Sequence, residues 1–125
     1  MTQNNNTNKT NTASSKPQVL PRQVLRERLR LSASQCSEQI SRSVARISSC
    51  DALPCLEYGE EVERERAMIG RLLYLQHCRT ALERCLDCGS ARLRYRWEDG
   101  RVTVTSFRRL RQGRVQVRGL DGLSA

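Results

Sequence analysis

The chain has 125 residues, six of them cysteine, and a net charge of +9 at pH 7. Its length allows one compact domain, and it offers no run of the roughly 18 apolar residues that a membrane-spanning helix needs. The polar N-terminus is unlike a secretory signal peptide. We therefore expect a protein of the cytoplasm or nucleus that is not secreted, in which the cysteines are thiols or metal ligands rather than disulfides.

The positive charge comes almost entirely from arginine, because lysine occurs only at Lys9 and Lys16. A surface this basic attracts polyanions, with nucleic acid as the first candidate and an anionic membrane surface as the second. Guanidinium groups favour nucleic acid, since they bind phosphate through two parallel hydrogen bonds and stack on bases. An arginine excess can also reflect the base composition of the coding region, so composition alone does not establish the partner.

Residues 1–17 hold all five asparagines and almost no apolar side chains, which predicts a disordered polar tail. From Pro21 onward, apolar residues recur at spacings of four and three, as they do on one face of a helix. This pattern predicts a first helix over about residues 21–49. Its apolar stripe consists of Leu25, Leu29, Ala33, Cys36, Ile40, Val44 and Ile47.

A second helical pattern covers about residues 59–88, and glutamates in its first turns suit the positive end of the helix dipole. Gly89 is well placed to end this helix as a left-handed C-terminal residue. A loop of about eight to ten residues joins the two helices, which are predicted to form an antiparallel hairpin. The stripe of the second helix contains Met68, Leu72, Leu75, Cys78, Leu82 and Cys85 or Leu86.

After Ser90 the apolar period changes from 3.6 to 2, which predicts strands over about residues 91–98, 101–110 and 114–119. Asp99 with Gly100 and Gln112 with Gly113 predict two-residue hairpin turns between these strands. The predicted fold class is α+β. Residues 18–125 are expected to form a single domain, in which a two-helix hairpin is followed by a three-stranded antiparallel meander packed on the helices.

Two-residue turns would place Trp97 opposite Val102, and Leu110 opposite Val115. In that register the tyrosine, tryptophan and valine side chains point toward the helices, with Arg108 at the rim of the same side. Most arginines then gather on the outer side of the sheet. The nucleic-acid-binding residues predicted there are Arg92, Arg94, Arg96, Thr103, Thr105, Phe107, Arg109, Arg111 and Arg118.

Clustered arginines repel one another and favour a polyanionic partner, although a solvated sheet face kept charged against aggregation is the alternative. Residues 91–125 carry a net charge of +6, whereas residues 51–90 carry −3. The threonines would hydrogen-bond phosphate or sugar, and Phe107 would be the only aromatic available to stack on a base. Because a single aromatic residue is too few for recognition of single strands, phosphate-dominated binding of duplex or structured RNA is favoured.

The two thiols of Cys85 and Cys88 have the spacing of a zinc-binding pair at a helix end. Two further ligands are needed, and His77 with Cys78 lies roughly 10 Å away along a straight helix, too far to share the ion. Cys36, Cys78 and Cys85 fit equally well as small core residues on the apolar stripes. A redox pair is a further alternative.

No motif for catalysis is present. His77 is the only histidine and has no serine or carboxylate at an informative spacing, so a partly buried structural role is expected for it. We therefore predict a binding protein rather than an enzyme. One alternative is a helical module that dimerises through the hairpin and binds an acidic protein. A zinc-dependent regulator is another. The basic run at residues 108–111 also fits a nuclear import signal, a pattern that is common by chance.

In its small size, its basicity, its cysteines and its Asn/Thr-rich N-terminus, the chain is similar to small accessory proteins of RNA viruses. Some of those proteins bind double-stranded RNA and suppress host RNA silencing. The resemblance is one of composition and covers no alignable motif. It implies RNA as a partner and transfers no site residues.

Overall fold

The computed structural model describes residues 16–49 and 55–120. The predicted antiparallel helix pair followed by an antiparallel meander is confirmed. The expected disordered tail, apart from Lys16 and Pro17, lies outside the described residues. In chain order the elements are β1 (Gln18–Pro21), α1 (Arg22–Ser49), α2 (Cys55–Cys88), β2 (Ser90–Arg96), β3 (Val102–Arg109) and β4 (Arg114–Arg118).

The sheet contains one strand more than the sequence predicted. Its order is β1-β4-β3-β2, and every pair of neighbours is antiparallel. The additional strand β1 is only four residues long, too short to show an alternating pattern of its own. It pairs with β4, where Leu20 lies opposite Val115 and packs against the core.

The helices form one layer and the sheet forms the other, with the apolar core between them. From α1 the core takes the first half of the predicted stripe, and from α2 it takes the second half of the helix. Among the described residues, no helix combines the length and apolar character that a membrane span requires. The buried apolar residues are Leu25, Leu29, Ala33, Cys36, Tyr74, Leu75, Cys78, Ala81, Leu82, Cys85, Phe107, Val115 and Val117.

The end of α2 is fixed to the sheet by hydrogen bonds from β3. Gly89 has a φ of 102° and donates its N–H to the Cys85 carbonyl at 2.7 Å, as the sequence predicted for a helix-ending glycine. The backbone of Arg109 donates to the Gly89 carbonyl at 2.8 Å, and its guanidinium donates to the Leu86 carbonyl. Because the last turn of α2 contains no basic residue, Arg109 supplies the positive charge that this helix end favours.

The two helices are also joined by a polar contact centred on Glu61, whose side chain is 10% exposed. Ser43 and Arg46 donate hydrogen bonds to one carboxylate oxygen, and Arg64 lies 2.7 Å from the other. These bonds, first that from Arg46 and then that from Ser43, lower the pKa of Glu61. The carboxylate therefore stabilises the hairpin most in its charged form.

We expect Glu61→Gln to remove a pH-dependent part of the stability. Because the pKa of Glu61 is lower in the folded protein, its stabilisation is complete above the pKa of the unfolded chain and is lost as the pH falls through the folded value. The melting temperature of the variant should thus lie below that of the wild type near neutrality, and this difference should shrink below about pH 4. Glu38→Gln is the control, since Glu38 is 67% exposed and 3.8 Å from Arg42. A difference in melting temperature between wild type and Glu61→Gln that is independent of pH would contradict a stabilising role for the charged carboxylate.

Candidate nucleic-acid interface

The register of β2 and β3 is set by a three-residue loop, not by the predicted two-residue turn. The Trp97 N–H donates to the Arg101 carbonyl at 2.8 Å, and the Gly100 N–H donates to the Trp97 carbonyl at 3.0 Å. Gly100 has a φ of 93°, as expected for the glycine that follows a type I turn in such a loop. Arg96 therefore lies opposite Val102, one residue away from the predicted register.

The loop between β3 and β4 shifts the register by one residue as well. The Leu110 N–H donates to the Arg114 carbonyl at 2.8 Å, and Gln112 and Gly113 have φ values of 62° and 70°. Arg109 lies opposite Val115, the position predicted for Leu110. Since a shift of one residue exchanges the two faces of a strand, β3 is turned over relative to the prediction. The two shifts cancel at β4, which keeps its predicted orientation.

The predicted placement of Thr103, Thr105 and Phe107 on the outer face is therefore wrong. Their exposed fractions are 2%, 0% and 1%, and they lie on the inner face of the sheet. Both threonine hydroxyls are hydrogen-bonded there, that of Thr103 to the Trp97 indole and that of Thr105 to the Tyr74 hydroxyl, each at 2.8 Å. These bonds make the burial of two hydroxyl groups tolerable. The three residues belong to the core.

Two predicted arginines are also placed differently. Arg109 lies on the helix side of β3, where it caps α2, and Arg111 lies in the turn between β3 and β4. Arg108, predicted at the rim of the inner side, is exposed on the outer side because β3 is turned over. Arg114 joins it from the first position of β4.

We use the name arginine face for the six exposed arginines on the outer side of the sheet. Residues paired across antiparallel strands share a face, so the register defines its layout. Ser106 lies between Arg92 and Arg118, and Val104 lies opposite Arg94. The members of the arginine face are Arg92, Arg94 and Arg96 on β2, Arg108 on β3, and Arg114 and Arg118 on β4.

The arginine face carries positive charge without compensation from the described part of the chain. The described outer-face positions of the four strands hold no acidic residue, and none of the six arginines forms an ion pair with a described carboxylate. Arginines on the helices differ in this respect, because several contact a glutamate. The helical pairs are Arg26 with Glu83, Arg30 with Glu27, Arg42 with Glu38, and Arg46 and Arg64 with Glu61.

Strand geometry fixes the spacing of these charges. Arg92, Arg94 and Arg96 follow one another at about 7 Å along β2, and neighbouring strands are about 5 Å apart. The inner side is held by the helices, so the strands keep the backbone positions of these arginines at fixed spacings, unlike a mobile basic tail. Such an array can bind several phosphates of one polyanion at once.

Sequence reasoning missed two arginines of the arginine face, Arg108 and Arg114, and only the placement of Arg108 depended on the loop lengths. Glu98-Asp99-Gly100 and Arg111-Gln112-Gly113 both end in glycine, which suits the left-handed position that closes a three-residue loop. Asp99 strengthens this signal, since its carboxylate accepts a hydrogen bond from the Arg101 N–H at 2.9 Å. Choosing three-residue loops would have placed Arg108 on the outer face, whereas the alternation of Arg114 with Gln116 and Arg118 places it there in either register.

The predicted zinc ligands differ in their surroundings. Cys85 is buried, its thiol lies 3.8 Å from the Gly89 carbonyl oxygen, and burial raises its pKa. Cys88 is exposed. Zinc binds the thiolate, so the raised pKa of Cys85 opposes ligation. Among the described side chains, no three of the metal-binding types are grouped to hold an ion. Cys50 and the side chain of Cys55 lie outside the description.

His77, expected to be partly buried, is exposed on α2. Its ring lies 5.9 Å from that of Tyr95, centroid to centroid. Among the described residues, no serine or cysteine forms a hydrogen bond with His77, so the geometry adds nothing to a catalytic interpretation.

Comparison with known families, curated proteins and solved structures finds no match to this chain. A functional proposal must therefore depend on the geometry and charge of the arginine face.

Proposed function

We propose that this protein binds nucleic acid through the arginine face, and that RNA is its partner. The observation that carries the proposal is the concentration of six exposed guanidinium groups on one side of a small sheet, without a carboxylate among the described outer-face residues. Like charges placed this close together repel each other unless a polyanion or solvent compensates them. A phosphate backbone supplies that compensation and releases its own counterions on binding.

The polar residues between the arginines favour RNA over DNA. Ser106 and Gln116 lie on the outer side of β3 and β4, beside Arg118 and Arg108 respectively. Their side-chain oxygens can accept a hydrogen bond from a ribose 2′-hydroxyl, a group that DNA lacks. The guanidinium groups would contact phosphate oxygens through two parallel N–H donors each.

The inner side of the sheet supports this function by holding the strands in place. The Tyr95 hydroxyl donates to the Gly70 carbonyl of α2 at 2.9 Å, and Trp97 lies 4.0 Å from the position that a Cβ at Gly70 would occupy. These contacts fasten β2, which carries half of the arginine face, to the helical layer. A strand held in this way loses less backbone entropy on binding a ligand than a flexible basic segment would.

The test is to replace Arg92, Arg94 and Arg96 by glutamine together and to measure RNA affinity across a salt series. Loss of three phosphate contacts should reduce the slope of log affinity against log salt concentration by about 2–3. Affinity at moderate salt should fall roughly tenfold to a hundredfold for the same reason. Fluorescence anisotropy with a labelled duplex RNA gives both quantities.

A matched control removes the same charge elsewhere. Arg66, Arg79 and Arg84 are exposed on α2, in the layer away from the arginine face. Their joint replacement by glutamine should lower affinity only slightly and leave the slope nearly unchanged, since long-range attraction is screened within about 10 Å at 0.1 M salt. Equal losses in the two triple variants would mean that bulk charge, not the arginine face, binds RNA.

An acidic protein is the alternative partner for the same face, combined with dimerisation through the hairpin. Ile69 and Leu73, one turn apart on α2, are 39% and 45% exposed and would supply the dimer contact. A preparation that retains nuclease-sensitive absorbance at 260 nm supports the RNA proposal. A dimer that is purified without nucleic acid and does not bind RNA would support the alternative. Protection of duplex RNA from nucleases would extend the proposal to the silencing-suppressor role that the composition suggests.

A further inference from the structure

The aromatic side chains of the sheet all lie on its inner side. Phe107 is 1% exposed, the Tyr95 hydroxyl is bonded to α2, and the Trp97 indole N–H donates to the buried Thr103 hydroxyl. The chain has five aromatic residues. Tyr74 on α2 is the fourth of those described and is fully buried. The fifth, Tyr58, lies at the start of α2, and its side chain is outside the description.

These rings are also packed against each other. The centroid of Tyr74 lies 5.4 Å from that of Tyr95 and 5.2 Å from that of Trp97, and Tyr95 and Trp97 are 4.9 Å apart. Turning one of them outward would break ring contacts and leave a hydrogen-bonding group unpaired in the core. The inner rings are therefore not available as a stacking surface for a ligand.

The outer side offers valines where a stacking protein would have rings. Val104, opposite Arg94, is 42% exposed, and Val102, opposite Arg96, is half-buried. Proteins that bind single strands combine a basic groove with aromatic side chains on which successive bases stack. A double helix needs no such surface, because its bases already stack on one another and its phosphates face outward.

We infer that the ligand of the arginine face is a double-helical nucleic acid, contacted through its backbones, and that unpaired strands bind much less tightly. This inference rests on the proposed function. A duplex also presents a rigid array of phosphates to arginines whose backbone positions are fixed by the sheet, whereas a flexible single strand would lose entropy on being ordered against the sheet. The same number of neutralised phosphates therefore gives a higher affinity for a duplex than for a single strand.

The test compares a duplex RNA of about 16 base pairs with each of its separated strands, chosen to lack self-complementarity. At equal salt the duplex should bind at least about tenfold more tightly per molecule than either strand. Equal or tighter binding of the single strands would overturn the inference and leave the proposed function standing. Failure of every nucleic acid to bind would overturn the proposed function itself.

Val104→Tyr provides a second measurement by placing a ring on the outer side. Position 104 is exposed on a strand, where tyrosine is readily accommodated. The variant should bind single-stranded RNA about tenfold more tightly than wild type, because one stacked base becomes available. Val104→Leu is the control, since it adds bulk without a ring and should produce no gain. Absence of a gain in Val104→Tyr would show that stacking does not limit single-strand binding, which would overturn the inference.

Discussion

Replacing Phe107 by alanine should lower the free energy of unfolding by about 3–5 kcal/mol. Phe107 is 1% exposed and packs in the core with Val115 and Val117 of the neighbouring strand. Removal of the ring leaves a cavity between the sheet and the helices that the fixed strands cannot close. Urea denaturation followed by circular dichroism measures the loss, and Phe107→Leu, expected to cost no more than about 1.5 kcal/mol, serves if the alanine variant does not fold.

The matched control is Val104→Ala on the same strand. Val104 points to the other side of the sheet and is 42% exposed, so its truncation should cost at most about 1 kcal/mol. In the register with two-residue turns the two effects would be reversed, because Val104 would be buried and Phe107 exposed. A larger loss at Val104 than at Phe107 would therefore disprove the register that defines the arginine face. Phe107→Leu should also leave RNA affinity unchanged.

Most of the fold could be predicted because its patterns are long or are marked by special residues. The stripe from Leu25 to Cys36 repeats often enough to identify a helix whatever its packing. The helix α2 ends at Gly89, as predicted, because glycine readily adopts the left-handed conformation that follows a helix. The alternation in β2 is unambiguous, since arginines occupy every second position from Arg92 to Arg96.

The register of β3 could not be predicted because a single residue of loop length decides it. Along β3 the sequence alternates valine and threonine, so either face can be turned inward at a similar cost. Side-chain hydrogen bonds then favour the observed face: Tyr74 of α2 accommodates Thr105, and Trp97, the residue after β2, accommodates Thr103 across the loop. Strand β1 was missed for a related reason, since its partner β4 lies almost a hundred residues away along the chain.

Most of the candidate site was predicted despite the register error, because most of its arginines lie on β2 and β4, whose orientation was predicted correctly. Arg92, Arg94, Arg96 and Arg118 were predicted on the outer face and lie there. Turning β3 over removes two threonines, a phenylalanine and Arg109 from that face and adds Arg108, Ser106 and two valines. The change leaves the number of arginines on the outer side of β3 at one and takes away the only aromatic ring predicted there. That loss shifts the expected ligand further toward a duplex.

Gly119→Ala should lower the free energy of unfolding by about 2–4 kcal/mol, the second largest effect that we expect. Gly119 has a φ of 78°, a conformation that costs an L-residue about 1–2 kcal/mol. A Cβ at this position would overlap the Val104 carbonyl oxygen and lie 3.3 Å from its carbonyl carbon. Both are backbone atoms of β3 that cannot rotate away, so the chain after β4 must move. That movement strains the hydrogen bond from Thr105 to the Gly119 carbonyl, now 2.9 Å, and with it the link to Tyr74.

Gly100→Ala separates the two causes of this loss. Gly100 has a φ of 93° but nothing within 4 Å of a Cβ, so alanine there meets the conformational cost alone, about 1–2 kcal/mol. The excess loss in Gly119→Ala over Gly100→Ala then measures the collision with β3. Equal losses in the two variants would mean that the chain after β4 does not approach Val104. Since Val104 lies between the arginines of β2 and the end of β4, that result would also change the outline of the arginine face.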